Sequence, residues 1–436
     1  MIGVAAVALA AGVCGHALVS RWGPGGPLPE RLAWAWVAGQ GTLSLSAALV
    51  LALGGPLELA LLPPALAAAT AWRAGASRAR SGALAPGAAV SGVGAAASVA
   101  AFTSAWLTPG LGWDGLAIWG LKAKTLADTG TLSLAAMQHP SALPSHPEYP
   151  LHVPLLGGLA GRLDAGGFDE RTLPLLAALD FAAIAWILLL ALARRLPGVW
   201  AGACAAGGLL VPLAWSELAE GKADLSVALC LLAAVVAFGR WLESEGAESE
   251  GWLALGAIAA GLAAWSKQEG LVWCALLWAL VLALTPAGRR RIALRAAWLS
   301  AAWALPWHVV RLLVGLGTEP FALGAGAPAR LPAIAGALVR EAIGLETWSL
   351  LWALAAAALA LLLSTAPRRR SDLLAASSLA GGILAVAGFF VASPHDLEWH
   401  LGTALSRLLL QWWPVASLVI GAALSLRLAE KGEDSG

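Results

Sequence analysis

Charge is what this sequence has least of. Only 12% of its 436 residues are Asp, Glu, Lys or Arg, about half the roughly 25% carried by a soluble domain. Such a chain lacks the polar groups to cover a water-exposed surface. With 59% hydrophobic residues and a mean hydropathy of +0.76, it reads as a polytopic membrane protein. The formal net charge is +1 and there is no basic stripe, so nothing suggests a nucleic-acid partner. Cysteine is also scarce: Cys14, Cys204, Cys230 and Cys274 lie far apart in apolar runs, with no CxxC or zinc spacing. They read as small buried hydrophobes. No fixed-period repeat or pair of matched halves is visible. The first apolar segment, 2–20, lacks a charged leader and a small-residue cleavage site, and so reads as a membrane helix.

What is abundant is glycine (50 residues), alanine and long apolar runs. Small residues let membrane helices approach closely. Runs of about 17–25 residues, enough to cross some 30 Å of hydrocarbon, fall at 2–20, 31–53, 56–72, 84–107, 171–193, 197–215, 225–242, 251–266, 270–287, 293–316, 342–364, 373–392 and 404–427. The expected fold is therefore all-α, with about 13 transmembrane helices. The run 151–163 is shorter and contains Pro154, which points to an interfacial or re-entrant helix. Four arginine clusters, Arg73/Arg78/Arg80, Arg194/Arg195, Arg289/Arg290/Arg291/Arg295 and Arg368/Arg369/Arg370, then share one side, the cytoplasmic one. The N-terminus is expected outside, with 431–436 as a cytoplasmic tail.

This count gathers the polar chemistry on the external face. The loop 108–150 is the longest interruption, and it carries Trp113, Asp114, Lys122, Lys124, Asp128, His139, His146, Glu148 and Tyr149, the only tyrosine. Ionisable groups beside a bilayer are costly unless they serve a site. In GWDGLAIWGLKAK, a helix begun by Asp114 would bury Ile118 and Leu121, with Lys122 two turns on. Asp114 is then either a helix cap or a reactive carboxylate, and Lys122 and Lys124 either ligands or snorkelling anchors. In HPEYPLHVPLL, Pro147, Pro150 and Pro154 hold His146, Glu148 and Tyr149 at a rigid lip, suited to a sugar or lipid headgroup or serving as a stiff connector. Glu217, Glu220 and Asp224 would align on a continuous helix unless Gly221 breaks it. Lys267 can pair with a phosphate or with Glu269. Asp396, His400, Thr403 and Arg407 recur on one helical face, and Arg407, in the outer part of a span, needs an anion: an acid such as Asp396 or a ligand phosphate. Asp396 and His400 alone do not make a metal site. No cofactor is expected, and a divalent metal is unsupported.

The segments WDGLAIWGLKAK, HPEYPLHVPLL, GKADLSVAL, AAWSKQEG and PHDLEWHLGTALSRLLLQWWP occur in this order across residues 84–420. As an ordered set they resemble bacterial GT-C membrane glycosyltransferases. More narrowly, they resemble the family 39-like, polyprenyl-phosphate-sugar-dependent group with the protein O-mannosyltransferases and the aminoarabinose transferases. The resemblance implies a catalytic domain over 84–430 that includes the external loop 108–150, with 1–83 as accessory transmembrane helices. Asp114 stands where relatives place an essential loop acid, as a single residue where some members have two. Asp224 matches a later Asp, and Lys267 a lysine that contacts the donor phosphate. No large soluble C-terminal domain follows, which disfavours an oligosaccharyltransferase. The implied activity is inverting transfer of a sugar from a polyprenyl-phosphate carrier to a hydroxyl of a glycan, lipid or protein, outside a bacterial inner membrane. Asp114 would be the base. Asp224, Trp113, His146, Glu148 and Tyr149 would orient sugar or acceptor. Lys122, Lys267, His400 and Arg407 would hold the donor phosphate. The alternatives are a transporter or flippase, a polymerase or ligase of lipid-linked glycans, and a noncatalytic scaffold.

Overall fold

The computed structural model describes residues 1–22, 26–66, 69, 86–108, 110–317, 321, 327–365 and 369–433. Among them every regular element is helical, because long Leu/Ala/Val runs satisfy their own backbone and end at Gly, Pro or charge. The main helices, in chain order, are α1 (Ile2–Trp22), α2 (Leu28–Ala52), α3 (Ala88–Leu107), α4 (Leu121–Thr129), α5 (His152–Leu163), α6 (Thr172–Ala193), α7 (Gly198–Leu209), α8 (Pro212–Glu220) and α9 (Asp224–Glu243). They continue as α10 (Ala247–Ser266), α11 (Gly270–Leu284), α12 (Arg290–Leu313), α13 (Leu331–Ile343), α14 (Leu351–Ser364), α15 (Arg370–Ala392), α16 (Leu397–Leu410) and α17 (Trp413–Glu433).

The protein is a multi-pass, all-α membrane bundle. Among the described residues, seven helices (α1, α2, α3, α6, α9, α15 and α17) are long and apolar enough to cross a membrane, or eight if α7 and α8 form one bent span. Other apolar runs among the expected 13 fall short of that length and apolarity for three reasons. Helices α11 and α14 have only 15 and 14 residues. Glu248 and Glu250 make the start of α10 polar, and α12 carries Arg290, Arg291, Arg295, Arg311 and an internal Pro306. Finally, three runs that read as single spans are broken. Pro212 bends 197–215 by 59°. The region 342–364 is interrupted between Ile343 and Leu351. The run 404–427 divides at Gln411–Trp412, before Trp413 and Pro414 open α17. Within 56–72, a 3₁₀ turn at Leu57–Leu61 leads into a short apolar helix ending at Leu66. The cluster Arg73/Arg78/Arg80 and Arg368 lie outside the described residues, as do 434–436 of the expected tail.

Helix α9 is the axis of the bundle, with 94% of its apolar window buried. Its 20 residues extend about 30 Å at 1.5 Å per residue. Helices α6, α10, α15 and α17 pack around it. At one end, Asp224 meets the loops that carry most of the sequence-predicted polar residues. At the other, Arg240 and Glu243 meet the arginines that follow α6 and precede α15. Helices α1 and α2 cross closely: a methyl group added at Gly15 would collide with the Ala35 carbonyl, and one at Gly39 with that of Ala11.

Helix α2 also enters a buried polar network. The Asp180 carboxylate of α6 accepts from Trp36 Nε1 at 2.7 Å, Gln40 Nε2 at 2.9 Å and Ser226 Oγ of α9 at 2.5 Å. Gln40 Oε1 lies 3.1 Å from His152 Nε2, whose Nδ1 lies 2.8 Å from Ser44 Oγ. Burial pushes the His152 imidazole down to about 3, so the ring is neutral at physiological pH. Helix α5 has 12 residues, ten of them buried, and at about 18 Å it is too short to cross a bilayer.

Candidate active site

Two turns and a helix end bring the first group of side chains together. Helix α8 stops at Gly221 in the left-handed conformation (φ +62), where a Cβ would press on the backbone of Leu173 and Pro174. This break ends the alignment considered for Glu217, Glu220 and Asp224. Lys222 instead pairs with Glu217 at 3.0 Å and Glu220 at 2.8 Å, while Asp224 starts α9. Between α10 and α11 the chain is extended at Lys267 (φ −149, ψ 160), which turns its side chain toward Asp224.

Asp224 Oδ1 accepts from Lys267 Nζ at 2.9 Å and from Gln411 Nε2 at 2.8 Å. Lys267 also pairs with Glu269 at 2.9 Å, and Gln411 Nε2 donates to the same carboxylate at 2.8 Å. Trp273 Nε1 holds the Gln411 carbonyl at 2.7 Å. Both members of the Asp224–Lys267 pair are buried. Burial opposes the lysine's charge, but Asp224 and Glu269 more than offset it and hold the ammonium above the ordinary lysine range.

One turn before Gln411, Arg407 Nη1 reaches Asp114 Oδ2 at 2.5 Å. The anion that Arg407 requires is therefore the loop acid and not Asp396, whose carboxylate caps α16 through the Trp399 amide at 2.9 Å. Burial works against the guanidinium charge, yet Asp224, Asp114 and Glu217 together keep Arg407 above its usual range. Asp114 itself makes no capping bond with its side chain. Both partners remain over a quarter exposed, at 28% and 29%. This pair is the accessible edge of an otherwise buried cluster.

Beyond Asp114 the helix opens into a π turn, Gly115–Gly120, in which the Leu121 amide bonds back to the Leu116 carbonyl. The extra residue rotates the helix beyond it. Ile118 is buried as expected, but Leu121 is 52% exposed and Lys122 takes the inward position at 4%. Lys122 Nζ donates to the His146 carbonyl at 2.6 Å and stands 5.9 Å from the Trp119 and Tyr149 ring centres. Burial lowers its ammonium to about 7, against the opposing pull of Glu148. His146 sits at φ +47, stacks on Tyr149 at 4.5 Å and bonds Glu148 through Nδ1 at 3.0 Å. Trp307 Nε1 and Gln268 Nε2 fix the Glu148 carbonyl at 2.8 and 3.2 Å. Burial raises the Tyr149 phenol, and the charges of Lys267, Glu269, Glu148 and Arg407 all reach it. Tyr149 thus stands between this aromatic box and the Asp224–Lys267 cluster.

The structure therefore joins Asp114, Asp224, Lys267 and Arg407, and joins Lys122, His146, Glu148 and Tyr149 next to them. It leaves Trp113 75% exposed. His400 lies two turns before Arg407, with Nδ1 2.7 Å from Ser393 Oγ and its ring against Phe390. Lys124 pairs with Asp128 on the exposed side of α4. Gln411, which links Asp224 to Glu269, escapes sequence reading because a neutral residue in an apolar run gives no charge signal. Asp180 does give one, as an acid inside a membrane-length run. Among the described residues no three His, Cys, Asp or Glu side chains are gathered as a metal site would need.

Fold and site together define a polytopic helical bundle with an acid–base and cation cluster at one end and loops folded over it. Among solved structures the chain is similar to ArnT from Cupriavidus metallidurans. For the crystal structure bound to undecaprenyl phosphate, the TM-score is 0.53 at 18% identity, over 77% of this chain and 60% of that one. For the apo structure the TM-score is 0.51 at 18% identity, over 77% and 59%. The shared feature is the fold, and the chain spans about 60% of ArnT's length. No family model matches the sequence, and no curated protein does.

Proposed function

We propose that the protein transfers a sugar from a polyprenyl-phosphate carrier to an acceptor hydroxyl, by inversion, on the external side of a bacterial inner membrane. The observation that carries this reading is the Asp114–Arg407 pair beside Lys267, in a fold shared with a protein crystallised with undecaprenyl phosphate. A loop carboxylate and two cations are the parts such a transfer needs. A phosphate leaving group departs without a protein acid, so a base and a cationic cradle suffice.

In the observed pairing, base and cradle neutralise each other. An arriving donor phosphate competes with Asp114 for the Arg407 guanidinium, since bidentate phosphate contacts are strong, and so frees the carboxylate. Asp114 then takes the acceptor's proton, the acceptor oxygen attacks the anomeric carbon, and the bond from that carbon to the phosphate oxygen breaks. The bonding electrons leave with the carrier phosphate, held by Arg407 and Lys267. Asp224 keeps Lys267 charged and aimed. Lys122 and the His146–Glu148–Tyr149 lip line the adjoining approach, and we assign them to the sugar and carrier headgroup. Transfer from radiolabelled polyprenyl-phosphate sugars in proteoliposomes tests the reading. Full activity in Asp114→Asn overturns the role of the base.

The 59° bend between α7 and α8 favours one rival, since broken helices are a transporter feature. Carrier translocation without glycan formation in the same vesicles would select that alternative.

A further inference from the structure

At the far end of α9 from Asp224, the wall chemistry changes sign. A cavity of about 130 Å³ opens between the ends of α6, α9 and α15, faced by Arg194, Arg195, Arg240 and Arg369 with Glu243 as its one carboxylate. Two further acids stand behind the wall. Glu30 binds Arg194 through paired contacts of 3.1 Å and Arg240 at 2.7 Å, and Asp372 pairs with Arg195. Glu243 is occupied by Ser371, accepting from its amide at 3.0 Å and its hydroxyl at 2.9 Å. Four guanidinium groups thus face three carboxylates, leaving one positive charge in excess.

The excess falls on Arg369. Among the described residues its guanidinium makes no hydrogen bond or ion pair, and it is exposed at the rim. Its charge acts on Arg195 across the cavity: after burial, it is the next cause lowering that guanidinium's affinity for its proton. Arg195 has Asp372 and the pull of Glu243 to answer its charge, whereas Arg369 faces the shared space with its charge unanswered among the described residues, an unfinished electrostatic arrangement. The deeper wall is apolar, formed by Val235, Val236 and Leu418. A ligand that fits has a phosphate at the rim and hydrocarbon inward.

We propose that this cavity binds a phosphate-bearing anion, supplied by the headgroup of an anionic phospholipid in the leaflet opposite the Asp114 end. Basic pockets between membrane helices take lipid phosphates in this way, and arginine's planar fork suits them. The inference is independent of the transfer reading, because it concerns the other end of the bundle and its test reads binding alone.

The full chain, purified in neutral detergent, is titrated with phosphatidylglycerol or phosphatidylcholine, and native mass spectrometry counts the lipids retained. The expected result is retention of phosphatidylglycerol over phosphatidylcholine, weakened about tenfold in Arg369→Gln. Arg369→Lys, which keeps the charge, should recover part of the loss. Among the described residues the Arg369 side chain has no protein partner to lose, so the melting temperature of both variants should match the parent. Equal retention of the two lipids, or unchanged phosphatidylglycerol binding in Arg369→Gln, overturns the proposal. Displacement of the lipid by millimolar inorganic phosphate supports phosphate as the recognised group. Binding of inorganic phosphate with no lipid retained keeps the anion site and overturns the lipid as its source.

Discussion

Asp180 and Asp224 are both buried acids, tied to the same helix and held by three and two donors respectively, yet they are built for different work. Among the described residues Asp180 meets only neutral donors, a tryptophan, an amide and a serine, drawn from α2 and α9. It lies inside the bundle, and its bonds staple α2, α6 and α9 together. Asp224 meets a lysine and an amide, both of which also bind Glu269, at the end of the bundle where Arg407 and Asp114 come to the surface. A carboxylate fixed by neutral groups is a structural joint. One fixed by a cation keeps that cation charged in a place where it would otherwise lose its proton, and so stores a positive charge for use. The difference lies in the kind of donor and the distance to the surface, and not in burial.

The largest effect should come from the exposed edge of the charged cluster. Asp114→Asn keeps the shape and removes the base, and the transfer rate should fall by about 10²–10⁴-fold with little change in melting temperature, as read by labelled-carrier assay and thermal unfolding. Next come the two buried acids themselves. Asp224→Asn leaves Lys267 with Glu269 alone, and transfer should fall at least about tenfold. Asp180→Asn should be tolerated, because Ser226 can turn its hydroxyl from donor to acceptor, whereas Asp180→Ala strands three buried donors and should destabilise by about 2–4 kcal/mol. If Asp180→Asn abolished transfer in a protein of normal stability, the contrast between joint and charge store would be broken.

The smallest effect on transfer is a pH dependence. Lys122 is held near 7 by burial against an ordinary 10.5. Between those values the unfolded chain binds the proton and the folded one does not, so this residue makes stability rise with pH from about 7 to about 10.5. A phosphate ligand needs the charged form, so its contribution to donor binding fades as pH rises through about 7. Comparing Lys122→Met with the parent isolates both slopes: the variant should lose the rise in melting temperature and show a flatter pH profile for donor KM.

Much of this is legible in the sequence. Apolar runs locate the helices, and the polar residues between them mark where chemistry gathers. Arg407 demands an anion, and Lys267 stands beside Glu269 in the chain. The identity of the anion is not legible, because Asp114 and Arg407 are 293 positions apart and only tertiary folding brings them together. Gln411 carries no charge, so its link between Asp224 and Glu269 leaves no trace in composition. Hydropathy does not reveal where an apolar run breaks: Pro212 and the Gln411–Trp412 turn interrupt sequences that look continuous. A regular helix of 3.6 residues per turn puts Leu121 on the buried face and Lys122 near the membrane surface, and no residue type in that segment announces the π turn that exchanges them.

The Gly115–Gly120 turn holds one residue more than a regular helix would, so the orientation of Asp114 relative to Lys122 is set by a count of residues as well as by their kinds. Deleting a single position there would restore ordinary winding and swing one end against the other by about 100°, parting the acid's line of sight from the amine's without altering either. In the evolution of such a loop, an insertion or deletion of one residue would be as decisive as the loss of a charge.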